Sequence, residues 1–142
     1  MIDSQPDWFK KALSVKKEQK IIEVEEGEIF YQHWGDKSKP GIVLVHGSGS
    51  HSHWWDFIAP HLLETFQVSA IDLSGMGESS HREDYSPELY AKEILSVAED
   101  SGFFPVGKPI ICGHSMGGFM TATAGYITDK ELTGVIMIDS PI

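Results

Sequence analysis

The chain has 142 residues, with 11 basic and 21 acidic side chains and a formal net charge of -10 at pH 7. This length fits one domain, and the acidic balance argues against nucleic acid as a partner, because the phosphate backbone would be repelled. A single cysteine, Cys112, excludes an intrachain disulfide. No segment approaches the roughly 20 apolar residues of a spanning helix. We therefore expect a soluble, cytoplasmic protein with no membrane span.

The order of apolar and polar residues predicts an α/β fold. Residues 1–19 are predicted to be an N-terminal helical extension, and residues 20–142 the core. Two alternating segments around Gly27, IIEVEE and EIFYQHWG, predict an antiparallel hairpin. Buried strands are predicted at GIVLVHG, QVSAID, residues 109–113 and TGVIMID, with helices over 54–65, 87–101 and 116–127. Strands that alternate with helices predict a doubly wound, mostly parallel sheet, here with an antiparallel N-terminal hairpin.

The segment CGHSMGG places Ser115 between a predicted buried strand and a predicted helix. In this context GxSxG is typical of a nucleophile elbow, a sharp turn that presents the serine oxygen above the sheet. Side chains at Gly113 or Gly117 would collide with the neighbouring strand and helix, and Gly118 eases the same packing. Backbone amides at the start of a helix favour a developing negative charge. Ser115 is therefore predicted to be a nucleophile, with a simple helix cap as the alternative.

From residue 21 to residue 142 the chain resembles the N-terminal half of an α/β-hydrolase fold protein. The resemblance rests on HGSG, DLSGMGES and GHSMGG, in this order and at suitable spacing. It implies a serine hydrolase of the esterase, lipase or carbon-carbon bond hydrolase type, which forms an acyl-enzyme from a small ester-like substrate. It also implies that the Met116 amide is one oxyanion donor and that the amide of Ser48 or Gly49 is the other. The segment DLSGMGES is implied to be a structural turn that supports the elbow.

The loop after the first buried strand has a competing interpretation as a dinucleotide site. Gly47, Ser48 and Gly49 follow the strand, and Asp72 ends the next strand about twenty residues later, as in the glycine-rich fingerprint. Ser52 stands where the third glycine is required, and three bulky residues follow it. We therefore expect no cofactor.

Three histidines near this loop raise the question of a metal. His46, His51 and His53 lie close together in sequence, but no further ligand stands at a known spacing. They are predicted to be loop or pocket-rim residues, and no metal is expected.

No histidine follows Ser115, although the α/β-hydrolase order is serine, then acid, then histidine. His114 is expected to point to the opposite face of its strand and so to be a poor base. Asp139, at the end of the last strand, is a possible orienting acid. We expect a truncated or split hydrolase whose isolated chain lacks the triad histidine and is a feeble esterase at best.

A noncatalytic binding or assembly module on the same scaffold is the alternative. The last predicted strand would present an unpaired apolar edge. This edge predicts self-association or pairing with a complementary C-terminal chain.

Overall fold

A six-stranded mixed sheet organises residues 4–141, the part of the chain that the computed structural model describes. The helices are α1 Asp7–Leu13, α2 Pro87–Asp100, α3 Phe103–Val106 and α4 Met116–Ile127. The strands are β1 Glu18–Val24, β2 Gly27–Trp34, β3 Gly41–Val45, β4 Gln67–Ile71, β5 Ile110–His114 and β6 Gly134–Ile138. No helix within residues 4–141 is both long and apolar enough to cross a bilayer.

The strand order is β1-β2-β4-β3-β5-β6. β3 pairs in parallel with both β4 and β5, and β6 pairs in parallel with β5. The β1-β2 hairpin and the β2-β4 pair are antiparallel. The predicted mostly parallel sheet with an antiparallel N-terminal hairpin is confirmed. The parallel strands β3, β4 and β5 therefore end at one edge of the sheet, where loops collect functional groups.

Both faces of the sheet are covered by apolar packing. One face carries α2 and α4 on a cluster that includes Tyr31, Val45, Ile94 and Ile111, each fully buried or nearly so. The other face packs against the segment between β3 and β4, with Trp34, Leu44, Trp55 and Val68 at its centre. β3 is fully buried and has apolar side chains on both faces, which explains its continuous apolar sequence, whereas the equally buried β4 also contains the polar residues Gln67 and Ser69.

One predicted boundary and one predicted helix differ from the structure. β1 begins at Glu18, two residues inside the predicted N-terminal extension, and α1 covers only Asp7–Leu13. The predicted helix over 54–65 is wrong, because this segment forms two short 3-10 turns at Ser52–Trp55 and Ala59–Leu62. Pro60 lacks an N–H donor, and its ring would clash with the carbonyl four residues earlier, so a continuous α-helix cannot form across it.

The β1-β2 turn depends on an arginine that is distant in sequence. Glu25 and Glu26 form the two-residue turn with φ of 48° and 64°, a conformation that non-glycine residues rarely adopt. The Arg82 guanidinium donates to the carbonyls of Val24 and Glu25, at 2.7 Å each. Arg82 also donates to Glu93 in α2, at 3.1 Å. A single side chain thus joins the hairpin, the loop after β4 and α2.

β6 is an edge strand in the described residues. Its apolar side chains remain partly exposed, from 39% at Met137 to 45% at Ile136. The neighbouring helix α4 also exposes Phe119 and Tyr126. β6 and α4 therefore expose several large apolar side chains on this side of the sheet, whereas in β1, the strand at the other edge, Ile21 is the large apolar side chain that is exposed.

Candidate active site

Ser115 lies in a strained turn between β5 and α4. Its backbone has φ of 55° and ψ of -123°, outside the regions that a serine ordinarily occupies. The Ser115 N–H donates to the carbonyl oxygen of Ile138 at 2.9 Å, so β6 holds the turn from the side. This strained strand-to-helix geometry agrees with the elbow predicted from the sequence.

The glycines around Ser115 are required by close backbone packing. A Cβ at Gly113 would lie closer than 3.0 Å to the Gly117 carbonyl oxygen. A Cβ at Gly117 would also lie closer than 3.0 Å to the carbonyl oxygens of Val45 and His46. A Cβ at Gly118 would meet the Ser140 hydroxyl, which belongs to the segment after β6. The expected collisions at Gly113 and Gly117 are thus confirmed, and β3 packs directly against the start of α4.

Two segments bring backbone amides to the neighbourhood of Ser115. Met116 is the first residue of α4, so its N–H has no acceptor within the helix. The loop after β3 approaches from the other side, because a Cβ at Gly47 would lie 3.3 Å from the Ser115 Cβ. Ser48 lines the same pocket as Ser115, whereas Gly49, which has φ of 68°, is absent from the pocket wall. The oxyanion roles of Met116, Ser48 and Gly49 stay predictions.

The pocket beside Ser115 is small and open, with a volume of about 210 Å³. Its walls are formed by Gly47, Ser48, Ser50, Trp54, His114 and Ser115. The lining thus combines a polar glycine-serine loop with two aromatic rings. A larger cleft of about 430 Å³ lies between residues 104–108 and 130–131, which precede β5 and β6. That cleft is at the opposite end of the strands from Ser115.

His114 is placed differently from the expectation. It was expected to face away from Ser115, yet both side chains line the same pocket. Alternation along a strand requires extended backbone, and the positive φ of Ser115 ends that alternation at the elbow. His114 stacks on Trp54, with ring centroids 6.3 Å apart and planes 19° apart. No hydrogen bond joins His114 to Ser115 in residues 4–141.

His46 is fully buried rather than at a pocket rim. Its Nδ1 lies 2.7 Å from the Gly47 carbonyl oxygen, and its Nε2 accepts the Leu73 N–H at 3.1 Å. Because Nε2 accepts, the ring is neutral and Nδ1 carries the proton. Burial lowers the pKa of His46, which is consistent with this neutral form. Both nitrogens are engaged, so His46 connects the loop after β4 to the end of β3.

The two remaining loop histidines lie at the surface side of the 3-10 turn. His51 and His53 contact each other edge to face, with ring centroids 5.5 Å apart. The His53 Nδ1 lies 2.8 Å from a carboxylate oxygen of Asp56. Within residues 4–141 no three His, Cys, Asp or Glu side chains converge in a way that could hold a metal ion.

Asp72 organises the loops at the carboxyl ends of the parallel strands, where Ser115 also lies. Its two carboxylate oxygens accept the backbone N–H groups of Ser52, at 2.6 Å, and Glu78, at 2.9 Å. Gly77 has φ of 55°, and a Cβ there would collide with this carboxylate. Both oxygens already serve the protein backbone, as the structural-turn interpretation of DLSGMGES requires. The same contacts argue against a ribose-binding role for Asp72.

Asp139 follows β6 at the edge of the sheet where Ser115 lies. Its φ is 47°, and it directly follows Ile138, whose carbonyl accepts the Ser115 N–H. Asp139 therefore directly follows the strand that supports the elbow, and its role as an orienting acid stays a prediction.

The chain is similar to several hydrolases over most of its length. It is 29% identical to "Esterase Rv0045c" of Mycobacterium tuberculosis over 84% of this chain and 39% of that protein. It is 33% identical to "Protein phosphatase methylesterase 1" of Bos taurus over 83% of this chain and 33% of that protein. Among solved structures, the thioesterase domain from the curacin biosynthetic pathway matches with a TM-score of 0.79 and 27% identity, over 89% of this chain and 45% of that one.

The chain thus spans about a third to two fifths of the length of these two curated relatives, and less than half of the solved thioesterase domain. The shared part carries the sheet and the serine elbow. The family model described as "Alpha/beta hydrolase family" matches residues 42–142, which include the loop after β3, the Asp72 turn and the elbow. The chain therefore belongs to the alpha/beta hydrolase family.

Proposed function

We propose that Ser115 is the nucleophile of an enzyme that hydrolyses a carboxylic ester or thioester through an acyl-enzyme. The observation that carries the proposal is the strained backbone of Ser115, with φ of 55° between β5 and α4. A strained conformation persists only where the surrounding structure imposes it, and it is frequent at catalytic residues. The similarity to two esterases and a thioesterase domain supports the choice of an acyl substrate.

The proposed reaction uses two backbone amides. The Ser115 Oγ attacks the carbonyl carbon of the substrate and loses its proton to a base. The oxyanion that forms accepts hydrogen bonds from the N–H groups of Met116 and Ser48. Collapse of this intermediate expels the alcohol or thiol, which takes the proton, and leaves the acyl group on Ser115. Water then attacks the acyl-enzyme, and the acid product is released.

The base is proposed to come from polypeptide outside these 142 residues. No residue from 116 to 142 is histidine. His46 has both ring nitrogens engaged, and the buried His33 pairs with Gln67 at 2.8 Å. The curated relatives named above are more than twice as long as the matched segment, so they have room for a histidine outside it. Asp139 is proposed as the acid that orients this histidine.

A noncatalytic binding or assembly module is the second candidate. The observation that favours it is that no histidine donates to or accepts from the Ser115 hydroxyl in the described part of the chain. In that case the elbow would serve only to join β5 to α4.

Labelling with a fluorophosphonate probe distinguishes these candidates. We expect the probe to modify Ser115, with modification lost in Ser115→Ala and kept in Ser96→Ala, a serine in α2 away from the pocket. Intact-protein mass spectrometry and peptide mapping give the readout. Because the base is proposed to lie outside these 142 residues, the labelling is done with that polypeptide present, and a folded complex whose Ser115 stays unmodified would support the noncatalytic module.

Ester hydrolysis gives an independent test of the nucleophile. Loss of a nucleophile costs several orders of magnitude in rate. In the presence of the polypeptide that supplies the base, Ser115→Ala should therefore remove nearly all turnover of 4-nitrophenyl acetate. Retention of more than about a tenth of the activity would contradict the proposal. The 142-residue chain alone should be slow, because oxyanion donors without a base leave only about 10³-fold acceleration over water.

A further inference from the structure

Two aromatic rings close one side of the pocket beside Ser115. Trp54 and His114 are stacked, with centroids 6.3 Å apart and an interplanar angle of 19°. We infer that this pair is an aromatic wall that selects substrates with a single planar ring near the ester carbonyl. The chemistry at Ser115 rests on the proposed function, but recognition of the ring by the wall does not.

The Trp54 side chain is held in a fixed position. Its ring contacts Phe57 edge to face, with centroids 6.4 Å apart and planes 76° apart. The backbone is held as well, because the Trp54 backbone N–H donates to the His51 carbonyl oxygen at 3.2 Å and the Ser52 backbone N–H donates to the Asp72 carboxylate at 2.6 Å. A side chain already held in place loses little conformational freedom when a ligand stacks on it. The wall is therefore preorganised for binding.

Trp54 keeps a large free surface although its ring is held. It is 49% exposed, whereas the next residue, Trp55, is 3% exposed and packs in the core beneath the sheet. Trp54 therefore contributes little to core packing. Part of its surface lines the pocket that also contains Ser48 and Ser115. A ring that stacks on Trp54 would be close to the hydroxyl and to the loop amide proposed to bind the carbonyl oxygen.

The size and polarity of the pocket limit the ligand. Sites for drug-sized molecules usually have volumes of about 300 to 1,000 Å³, whereas this pocket has about 210 Å³. One ring with its attached carbonyl fits within this volume. The rest of the lining, Gly47, Ser48, Ser50 and Ser115, is small and polar. The proposal therefore has the planar ring against Trp54 and the ester group at the serine hydroxyl and the loop amide.

Binding of an ester analogue that cannot be hydrolysed tests the wall directly. In a Ser115→Ala background, acetophenone and 2-butanone present the same methyl ketone with and without a ring. We expect acetophenone to bind more tightly, with the dissociation constant measured from NMR shifts of the Trp54 indole N–H and of neighbouring amides. Trp54→Ala should weaken acetophenone about tenfold, since stacking on an aromatic ring contributes about 1 to 3 kcal/mol. Binding of 2-butanone should change less than about twofold.

Two matched variants separate stacking from general damage. Trp54→Phe keeps a ring and should retain most of the preference for acetophenone. Trp8→Ala removes a tryptophan of similar exposure, 53%, from α1 outside the pocket, and should change neither affinity. If acetophenone binds no more tightly than 2-butanone, or equally well to the Trp54→Ala protein, the inference is overturned.

Hydrolysis of three esters shows which side of the substrate carries the ring. Ethyl benzoate has the ring on the acyl side, benzyl acetate has it on the alcohol side, and ethyl acetate has none. The Ser115-dependent kcat/KM of one of the two aromatic esters should exceed that of ethyl acetate about tenfold. Trp54→Ala should remove this preference. Ser115-dependent hydrolysis without any effect of Trp54 would overturn the wall and leave the proposed function standing. With the polypeptide that supplies the base present, Trp54-dependent binding without Ser115-dependent hydrolysis would overturn the proposed function and leave the wall standing.

Discussion

The buried ion pair between Arg82 and Glu93 gives a quantitative test of the fold. The Arg82 side chain is 10% exposed and the Glu93 side chain is fully buried. Besides donating to Glu93 at 3.1 Å, the guanidinium donates at 2.7 Å to each of two carbonyls, those of Val24 and Glu25. Arg82→Met keeps an apolar stem of similar length but removes the positive charge and all of these donors. The change leaves a buried carboxylate whose remaining partner is the Ser74 N–H, at 3.0 Å.

The expected loss of stability is large for a chain of this size. Removing one partner of a buried ion pair usually costs about 3 to 5 kcal/mol, because the other charge stays buried without compensation. A 142-residue domain has a free energy of unfolding of roughly 7 to 20 kcal/mol by the usual range per residue. The double change Arg82→Met with Glu93→Gln removes both charges and leaves an amide that can still accept from Ser74. It should therefore cost less than Arg82→Met alone.

The pH dependence of the variant has a defined sign. Burial raises the pKa of Glu93 even beside Arg82, which opposes the rise. Without Arg82 the pKa should rise further, so the folded variant binds this proton more strongly than the unfolded chain does. The stability deficit should therefore be smallest below the unfolded pKa of glutamate, about 4.3, and grow as pH rises toward the folded value.

Urea denaturation followed by circular dichroism measures these differences at pH 5 and pH 7.5. Lys108→Met is the matched control, because Lys108 pairs with Glu131 at 3.0 Å on the surface, where both side chains are more than half exposed. It should cost at most about 1 kcal/mol. The reasoning is refuted if Arg82→Met costs no more than this control, or if the double variant is the less stable of the two Arg82 variants.

Three further outcomes follow from the packing, the titrating groups and the sheet edge. Gly117→Ala should lower the free energy of unfolding by about 1 to 3 kcal/mol and reduce probe labelling of Ser115, because the new Cβ would collide with the His46 carbonyl. Gly107→Ala is the control, since its Cβ would lie in open space and should change neither quantity. Equal effects of the two substitutions would contradict the collision. Burial lowers the pKa of His33, so the thermal midpoint should fall as pH drops below about 6.5, and less steeply in His33→Gln; an identical slope would contradict this. The exposed edge of β6 predicts a self-associated chain, or one bound to a complementary polypeptide, in sedimentation equilibrium, and a well-dispersed monomer with cooperative unfolding would contradict it.

The elements that could be predicted from sequence are those with a local signal. The elbow around Ser115 follows from the spacing of its glycines between an apolar strand and an apolar helix. The hairpin around Gly27 follows from alternation, and the buried strand β3 follows from a continuous apolar segment. Each of these signals lies within one continuous stretch of sequence, so no knowledge of distant contacts is required.

The features that escaped prediction depend on distant contacts or on local breaks in regularity. The contacts of Arg82 join parts of the chain up to 58 residues apart, and nothing near Arg82 in sequence indicates its partners. The segment 54–65 has helical apolar spacing, but Pro60 interrupts the backbone hydrogen bonds of a helix. His114 faces the pocket because strand alternation ends at the strained elbow. The proximity of Trp54 to Ser115 could not be inferred, since the two lie on different loops.

The hydrogen bond from the Ser115 amide to Ile138 makes β6 part of the support of the elbow. In residues 4–141, β6 pairs only with β5, so local opening of one strand ladder is enough to release this bond. Each opening removes a restraint from a backbone conformation that serine does not favour. A polypeptide that paired with the outer edge of β6 would suppress these openings, and its binding would therefore be thermodynamically coupled to the order of the nucleophile. Amide hydrogen exchange at Ser115 would report that coupling, since its protection would rise as the edge became covered.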